Sequence, residues 1–224
     1  MTKPALRGKF ITFEGLDGCG KSTQLEKLAE VLRAEGIEVL TTREPGGTEI
    51  GERIRAVLLD SRTAGLDPWT EMALMFASRA QQLAQVIEPA LAQGRWVLCD
   101  RYTDSTEAYQ GSGRELGSQS VLRVHEVLCR GMWPDLTILM DSDGKSSVSR
   151  ARRRNKRNSK AASRGHSDEN RFEQETRAFF GRVHDGYLAI AKRQPERVVT
   201  VDARGTPGQT HEKIVELVRR KLRL

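Results

Sequence analysis

The chain has no apolar run approaching the ~18 residues that a membrane span needs. Its opening, MTKPALRGKFITF, lacks a signal-like apolar stretch and turns strand-like at once. Cysteine is scarce: Cys19, Cys99 and Cys129 are an odd set, at spacings that suit no zinc site. These absences exclude a membrane protein and a disulfide framework, and they predict a soluble chain of the reducing cytoplasm. No internal repeat is visible.

What is present fits one domain spanning 1–224: the chain has 224 residues, 38% of them hydrophobic, enough for a substantial core. The net charge is +7. Arg150 to Arg171 holds nine Lys or Arg and two acids, which leaves 28 bases and 28 acids elsewhere. One short segment therefore carries the whole excess. A protein that grips long nucleic acid usually spreads its charge over a face. A concentrated charge suits a solvated tail, a loop or a lid that meets phosphates; 150–170 has little to bury and reads as mobile, and no nucleic-acid or membrane partner is expected.

Short apolar runs alternate with amphipathic stretches. KFITFE (9–14), IEVLTT (37–42), RWVLCD (95–100), DLTILMD (135–141) and RVVTVD (197–202) read as strands. Helices are expected over 21–35, 50–59, 68–94 with a break near Pro89, 118–130, 171–193 and 207–222. Leu25, Leu28, Ala29 and Leu32 should face inward from the first. Val121, Leu122, Val124, Val127 and Leu128 should do so from the fourth. This order predicts an α/β fold, a three-layer sandwich with a five-stranded parallel sheet and helices on both faces.

GLDGCGKS, starting at Gly15, matches G-x-x-x-x-G-K-[ST] between a strand and a helix. Glycines let the backbone curl so that amides and a helix N-terminus converge on an anion. The loop Gly15, Leu16, Asp17, Gly18, Cys19, Gly20, Lys21, Ser22 and Thr23 is thus a candidate ATP site of the P-loop NTPase type. Lys21 should reach the β- and γ-phosphates, and Ser22 should offer its hydroxyl to Mg²⁺. A GTPase switch is the first alternative, because DSDG (141–144) and NKRN (155–158) mimic its motifs. Only ten residues separate Gly144 from Asn155, too few for the intervening strands and helices.

Three more stretches offer chemistry, two of them at strand ends, where α/β sheets bind ligands. TREPGGT (42–48) carries Arg43 and Glu44. DRYTDSTEAYQGSGR (100–114) carries Asp100, Arg101, Tyr109 and Gln110. MALMFASRAQQ (72–82) carries Phe76 and, one helical turn on, Arg79. Arg43 and Arg101 suit phosphate oxygens. Asp100 can orient Mg²⁺ through water. Phe76 can stack on a base while Arg79 meets a carbonyl edge.

Taken together, FEGLDGCGKST, TREPGGT, FASRAQQ and DRY…AYQGSGR resemble the thymidylate kinase family, over about residues 9 to 204. The resemblance implies transfer of the ATP γ-phosphate to dTMP, with Mg²⁺, in a homodimer. The helices at 70–92 and 118–130 are candidates for its interface. It further implies that Asp17 meets the deoxyribose 3′-hydroxyl and that Arg43 and Arg101 bind the dTMP phosphate. Phe76 resembles the residue that stacks on thymine, Arg79 and Gln110 those that read its polar edge, and Tyr109 the one that crowds the 2′ position. Glu44 is expected near the metal and phosphate network. Some members carry an arginine directly after the P-loop acid; Gly18 stands there in this chain. The resemblance then implies the type in which lid arginines supply the charge, and Arg150, Arg154 and Arg164 are the candidates. Catalysis is expected from positioning and charge neutralisation by Lys21, Asp100, Arg101 and Arg154 or Arg164. The competing readings are a kinase for another small nucleotide and a basic nucleic-acid-binding protein.

Overall fold

A computed structural model of the chain describes residues 7–63, 65–142 and 171–223. The basic stretch 145–170, with Arg150, Arg154, Arg164 and NKRN, lies outside the described residues. Five strands form one sheet: β1 (Phe10–Glu14), β2 (Val39–Arg43), β3 (Trp96–Asp100), β4 (Leu136–Asp141) and β5 (Val198–Asp202). All neighbours are parallel, in the order β2-β3-β1-β4-β5. The central strand, β1, is buried along its whole length, as a parallel sheet covered on both faces requires.

Side chains alternate between the two faces, since successive Cβ atoms in a strand point opposite ways. Ile11, Phe13, Leu98 and Ile138 join one core with α1 (Lys21–Ala34), and the closing helix, Pro207–Leu222, completes it through Ile214, Leu217 and Val218. Leu25, Leu28, Ala29 and Leu32 all face this core, as their spacing predicts. Phe10, Val97 and Cys99 point the other way, toward Met72, Phe76, Leu83 and Val121. The second core takes Met72 and Phe76 from α3 (Pro68–Gln82), capped by Asp67 and preceded by α2 (Glu49–Leu59), capped by Thr48. Among the described residues no helix is long and apolar enough to cross a membrane.

Four local expectations change. The helix from Pro68 does not break at Pro89; it widens into a π-turn at Leu83–Ile87 and continues as α4 (Glu88–Ala92). Pro89 has no N–H to donate and its ring crowds the preceding turn, which accounts for the widening one turn earlier. A helical segment also appears where none was expected: α5 (Thr103–Thr106) runs into a second π-turn, Glu107–Gly113. TDSTEAYQGSG is poor in intrinsic helix formers, so packing enforces it. In α6 (Ser118–Leu128), Val121 is buried, but Val127 and Leu128 are 74% and 43% exposed rather than inward. Finally, the helix expected from Arg171 starts later, as α7 (Arg177–Arg193), capped by Thr176 and preceded by a short 3₁₀ turn at Phe172–Gln174. The closing helix is therefore α8.

The second π-turn presses tightly on α7. A Cβ at Gly113 would sit 2.7 Å from Phe179 Cε2 and 2.9 Å from Val183 Cγ2. Both neighbours are buried. Gly113→Ala is expected to destabilise the protein by about 1–3 kcal/mol through overpacking. Denaturant unfolding checks this; a variant with the wild-type midpoint would contradict the packing.

Candidate active site

The loop after β1 is built by left-handed glycines: Gly15, Gly18 and Gly20 have φ of 130°, 78° and 100°. It ends on α1, which has Gly20 at its N-cap and no side-chain cap. The first turn of that helix, Lys21 to Thr23, lines a cleft of about 390 Å³. Uncapped helix N-termini attract anions. Lys21 is buried and its Nζ donates to the carbonyls of Gly15 and Leu16, both at 3.1 Å. The ammonium is thereby held across the mouth of the loop.

Parallel pairing of β1 with β3 sets Phe13 opposite Asp100. The end of β3 therefore meets the P-loop. Ser22 Oγ donates to Asp100 Oδ2 at 2.6 Å. Asp100 Oδ1 is buried with no partner. A hydroxyl and an unpaired carboxylate oxygen are hard donors, and they fit a Mg²⁺ that takes its remaining ligands from water and phosphate.

Arg101 follows with φ 75°, a left-handed conformation that non-glycine residues rarely adopt. Its N–H is fixed on the Phe13 carbonyl at 2.9 Å. Its guanidinium donates to Asp17 Oδ1 at 2.8 Å, Ser105 Oγ at 2.8 Å, Tyr187 Oη at 3.1 Å and Tyr109 Oη at 3.2 Å. Tyr109 Oη in turn donates to Asp17 Oδ2 at 3.0 Å. Burial opposes ionisation of Asp17, but the Arg101 and Lys21 charges and these bonds hold its carboxyl far below the usual carboxylate range. The strained backbone is thus secured by neighbours on four elements, a pattern typical of functional sites.

At the far end of the cleft, Arg43 pairs with Glu52 at 3.1 Å, both half-exposed. Glu44 is buried and its Oε2 accepts from Arg79 Nε at 2.5 Å. Burial pushes the Glu44 carboxyl up to about 7 against the opposing pull of Arg79. Arg79 also donates to Thr106 Oγ1 at 3.1 Å, while its Nη1 is buried without a partner. Gln82 Nε2 ties the REPGG turn together, bonding Thr42 Oγ1, the Arg43 carbonyl and the Gly46 carbonyl. A Cβ at Gly47 would fall 1.8 Å from that nitrogen, which explains the second glycine of the turn.

The structure brings together Asp17, Gly18, Lys21, Ser22, Arg43, Glu44, Arg79, Asp100, Arg101, Tyr109 and Gln110 around one cleft. Phe76 is not among them. It is fully buried among Phe10, Met72 and Tyr102, and it does not line the cleft. The expectation that Phe76 stacks on a base is corrected accordingly. A helix advances 3.6 residues per turn, so Arg79 shares its cleft-facing stripe with Met75 at i−4, while Phe76 falls on the stripe that meets the sheet. Met75 does line the cleft. Leu16 and Cys19 do not line it: Leu16 joins the cluster of Tyr109, Leu139 and Phe179, and Cys19 the core of Ile11 and Leu25.

Sequence reasoning passed over several residues. Ser105, Thr106, Pro45 and Arg55 line the cleft, and Phe172 closes one wall, edge-on to Tyr109 at 5.6 Å between ring centres. Behind them Glu14 is fully buried. It accepts from the Tyr102 N–H at 2.7 Å, Ser105 Oγ at 2.5 Å and Tyr187 Oη at 3.0 Å. Its signal was present, an acid ending the otherwise apolar run KFITFE. Phe172 and Tyr187 left no comparable trace, because only the folding of the chain brings them beside Tyr109.

A P-loop facing a second, arginine-lined pocket across one cleft defines a phosphotransferase of small phosphorylated acceptors. Comparisons with known proteins narrow the class. A family model described as "Thymidylate kinase" matches residues 13–214. A thymidylate kinase of Trichlorobacter lovleyi is 47% identical over 213 residues, covering 95% of this chain and 98% of that one. One of Pseudomonas savastanoi pv. phaseolicola is 50% identical over 198 residues, covering 88% and 89%. The crystal structure of thymidylate kinase from Ehrlichia chaffeensis superposes with a TM-score of 0.72 at 30% identity, covering 95% of this chain and 99% of that one. This chain belongs to the thymidylate kinase family, and it is a nucleoside monophosphate kinase.

The buried Glu14 makes a pH signature. Burial, with the nearby Asp104 carboxylate, raises it from 4.5 to about 7 against the pull of Arg101. A carboxyl raised on folding contributes stability that is complete below about pH 4.5 and is lost as pH rises through about 7. Glu14→Gln removes that titration. Relative to this variant, the wild type is expected to lose on the order of 3 kcal/mol between about pH 5 and pH 8 in denaturant unfolding. Parallel pH profiles for the two proteins would refute the assignment.

Proposed function

We propose that this chain transfers the γ-phosphoryl group of ATP to dTMP, giving ADP and dTDP, a step of dTTP synthesis. One observation carries the reading. A single cleft joins the P-loop lysine to a buried arginine, Arg79, whose Nη1 awaits an acceptor.

The donor polyphosphate is taken by Lys21 and the first-turn amides of α1. Arg101 and Arg43 hold the acceptor phosphate. Asp17 orients Arg101 and receives the sugar 3′-hydroxyl. Tyr109 crowds the 2′ position. Arg79 donates to a base carbonyl, Gln110 reads the adjoining edge, and Met75 supplies the apolar cover. Mg²⁺, held by Ser22 and by Asp100 directly or through water, would supply positive charge to the phosphate oxygens. The acceptor is already an anion, so no strong general base is required. The chemical task is to bring two anions together in line, and fixed cations in a cleft accomplish that. Closure over the donor excludes water and limits hydrolysis.

The same reading takes residues 1–224 as one nucleotide-kinase domain with a basic lid at about 145–171. Gly18 leaves the P-loop without an arginine of its own, and this supports Arg154 or Arg164 as the source of the missing charge. A cytoplasmic homodimer is part of the proposal. Exposed Trp69, Val127 and Leu128 support an interface on the α3 and α6 side.

Two measurements test this. ADP release with Mg²⁺ and ATP is expected with dTMP as acceptor in preference to dCMP or dGMP, and Lys21→Met should lower kcat by about 100-fold or more. Absence of ADP formation with dTMP would overturn the proposal. Among Arg150→Ala, Arg154→Ala and Arg164→Ala, at least one is expected to lower kcat by about 10-fold to 1000-fold. Near-wild-type kcat in all three, and in the triple variant, would overturn the lid's role.

A further inference from the structure

One buried acid beside the acceptor pocket takes no part in phosphate chemistry. Glu71, on α3, is 0% exposed. Its Oε2 accepts from Arg171 Nη1 at 2.6 Å and Arg114 Nη2 at 3.1 Å. Its Oε1 accepts from Gln110 Nε2 at 2.7 Å and Arg114 Nε at 3.2 Å. Arg171 is itself buried, with its Nε on the Leu58 carbonyl and its N–H on the Leu59 carbonyl at 3.1 Å. Its guanidinium lies 4.4 Å from the Phe172 ring centre. Two arginines from separate elements therefore hold one carboxylate against one amide.

This arrangement decides which end of Gln110 is available. A carboxylate accepts hydrogen bonds and does not donate, so the amide nitrogen must face Glu71. The amide oxygen is left for a donor in the cleft that Gln110 lines. A neutral partner in place of Glu71 would let the amide turn either way. Across the same cleft, Arg79 Nη1 is a buried donor without a partner. The pair thus presents one acceptor and one donor. A keto-pyrimidine, thymine or uracil, answers with an N3–H donor beside a C4 carbonyl. Cytosine reverses both groups: its N3 is a lone pair and its C4 bears an amino group. Cytosine would face the amide oxygen with a lone pair and Arg79 with N–H bonds, leaving buried polar groups unpaired. Such mismatches discriminate far better than shape does.

We propose that Glu71, clamped by Arg114 and Arg171, is a positioning residue that fixes the Gln110 amide with its oxygen toward the acceptor base, and so selects keto-pyrimidine monophosphates against cytidine ones. This rests on the reading of Gln110 as a contact of the acceptor base. The experiment compares kcat/KM for dTMP, dUMP and dCMP, at saturating Mg²⁺ and ATP, in wild type, Glu71→Gln and Glu71→Asp. Glu71→Gln frees the amide to turn. Glu71→Asp keeps the charge that balances the arginines but withdraws the carboxylate, which guards against a variant that fails to fold. In each variant the dTMP-to-dCMP ratio is expected to fall by about tenfold or more. The dTMP-to-dUMP ratio should hold, because the 5-methyl group is not read by the amide. A general loosening of the pocket would move both ratios together, or scale all three acceptors down equally, and either result would overturn the proposal. Wild-type turnover of dTMP alongside an unmoved dCMP ratio in the variants would overturn it while sparing the activity itself. No wild-type turnover of dTMP would overturn both.

Discussion

The site depends on one pairing, that of β1 with β3 in parallel register. It sets Phe13 opposite Asp100, so two strand ends distant in sequence deliver their next residues to the same point. From β1 come the P-loop and Lys21; from β3 come Asp100 and Arg101. The Ser22–Asp100 bond and the Arg101–Asp17 pair are the contacts that result. A one-residue slip would turn Asp100 to the opposite face and leave Ser22 without it. The parallel arrangement matters as well, since it sends every strand's carboxyl end to one edge, where ligands bind.

Bringing so many ionised groups together has an electrostatic consequence. The acids that line or back the cleft, Asp17, Glu14 and Glu44, each face a guanidinium or a set of hydroxyls. Arg101 and Arg79 are held in place by those acids. Such cations need little reorganisation when phosphate arrives, which is the condition under which fixed charge is most effective. The left-handed backbone at Arg101 and the buried Glu14 beneath it are local departures from comfort, of the kind that surrounding structure must sustain. Glu14, Ser105 and Tyr187 provide that support from β1, α5 and α7. The same design recurs where Glu71 is shared by Gln110 and two arginines.

Much of this was legible in the residues. All five strands and the phosphate loop lie where alternation, glycine spacing and caps put them, because these are local signals. The Arg-Glu of TREPGGT and the aspartate ending RWVLCD were visible for the same reason. The misreadings share a different cause. Phe76 is apolar and one turn from Arg79, so spacing alone admits it to the pocket; only the orientation of α3 against the sheet shows that Met75 occupies the cleft and Phe76 the core. TDSTEAYQGSG has weak helical propensity, yet contact with α7 winds it into the helix that carries Tyr109 and Gln110. Val127 and Leu128 fall on the outward side of α6, whose inward stripe runs through Val121, His125 and Cys129.

Local chemistry, then, already determined the class of reaction. A glycine-rich loop before Lys-Ser, an Asp-Arg at a strand end and the REPGG turn are short motifs, and their geometry follows from backbone conformations that a few residues dictate. Tertiary structure decided the hydrogen-bond partners, and with them the electrostatic character of each group. Glu14 and Glu71 look like ordinary acids in a string of letters. One becomes a buried acceptor for three donors, the other the carboxylate that sets the facing of an amide, only when elements up to a hundred residues or more apart are packed together. Packing excludes water from these groups, and a charge without water must take its character from its neighbours.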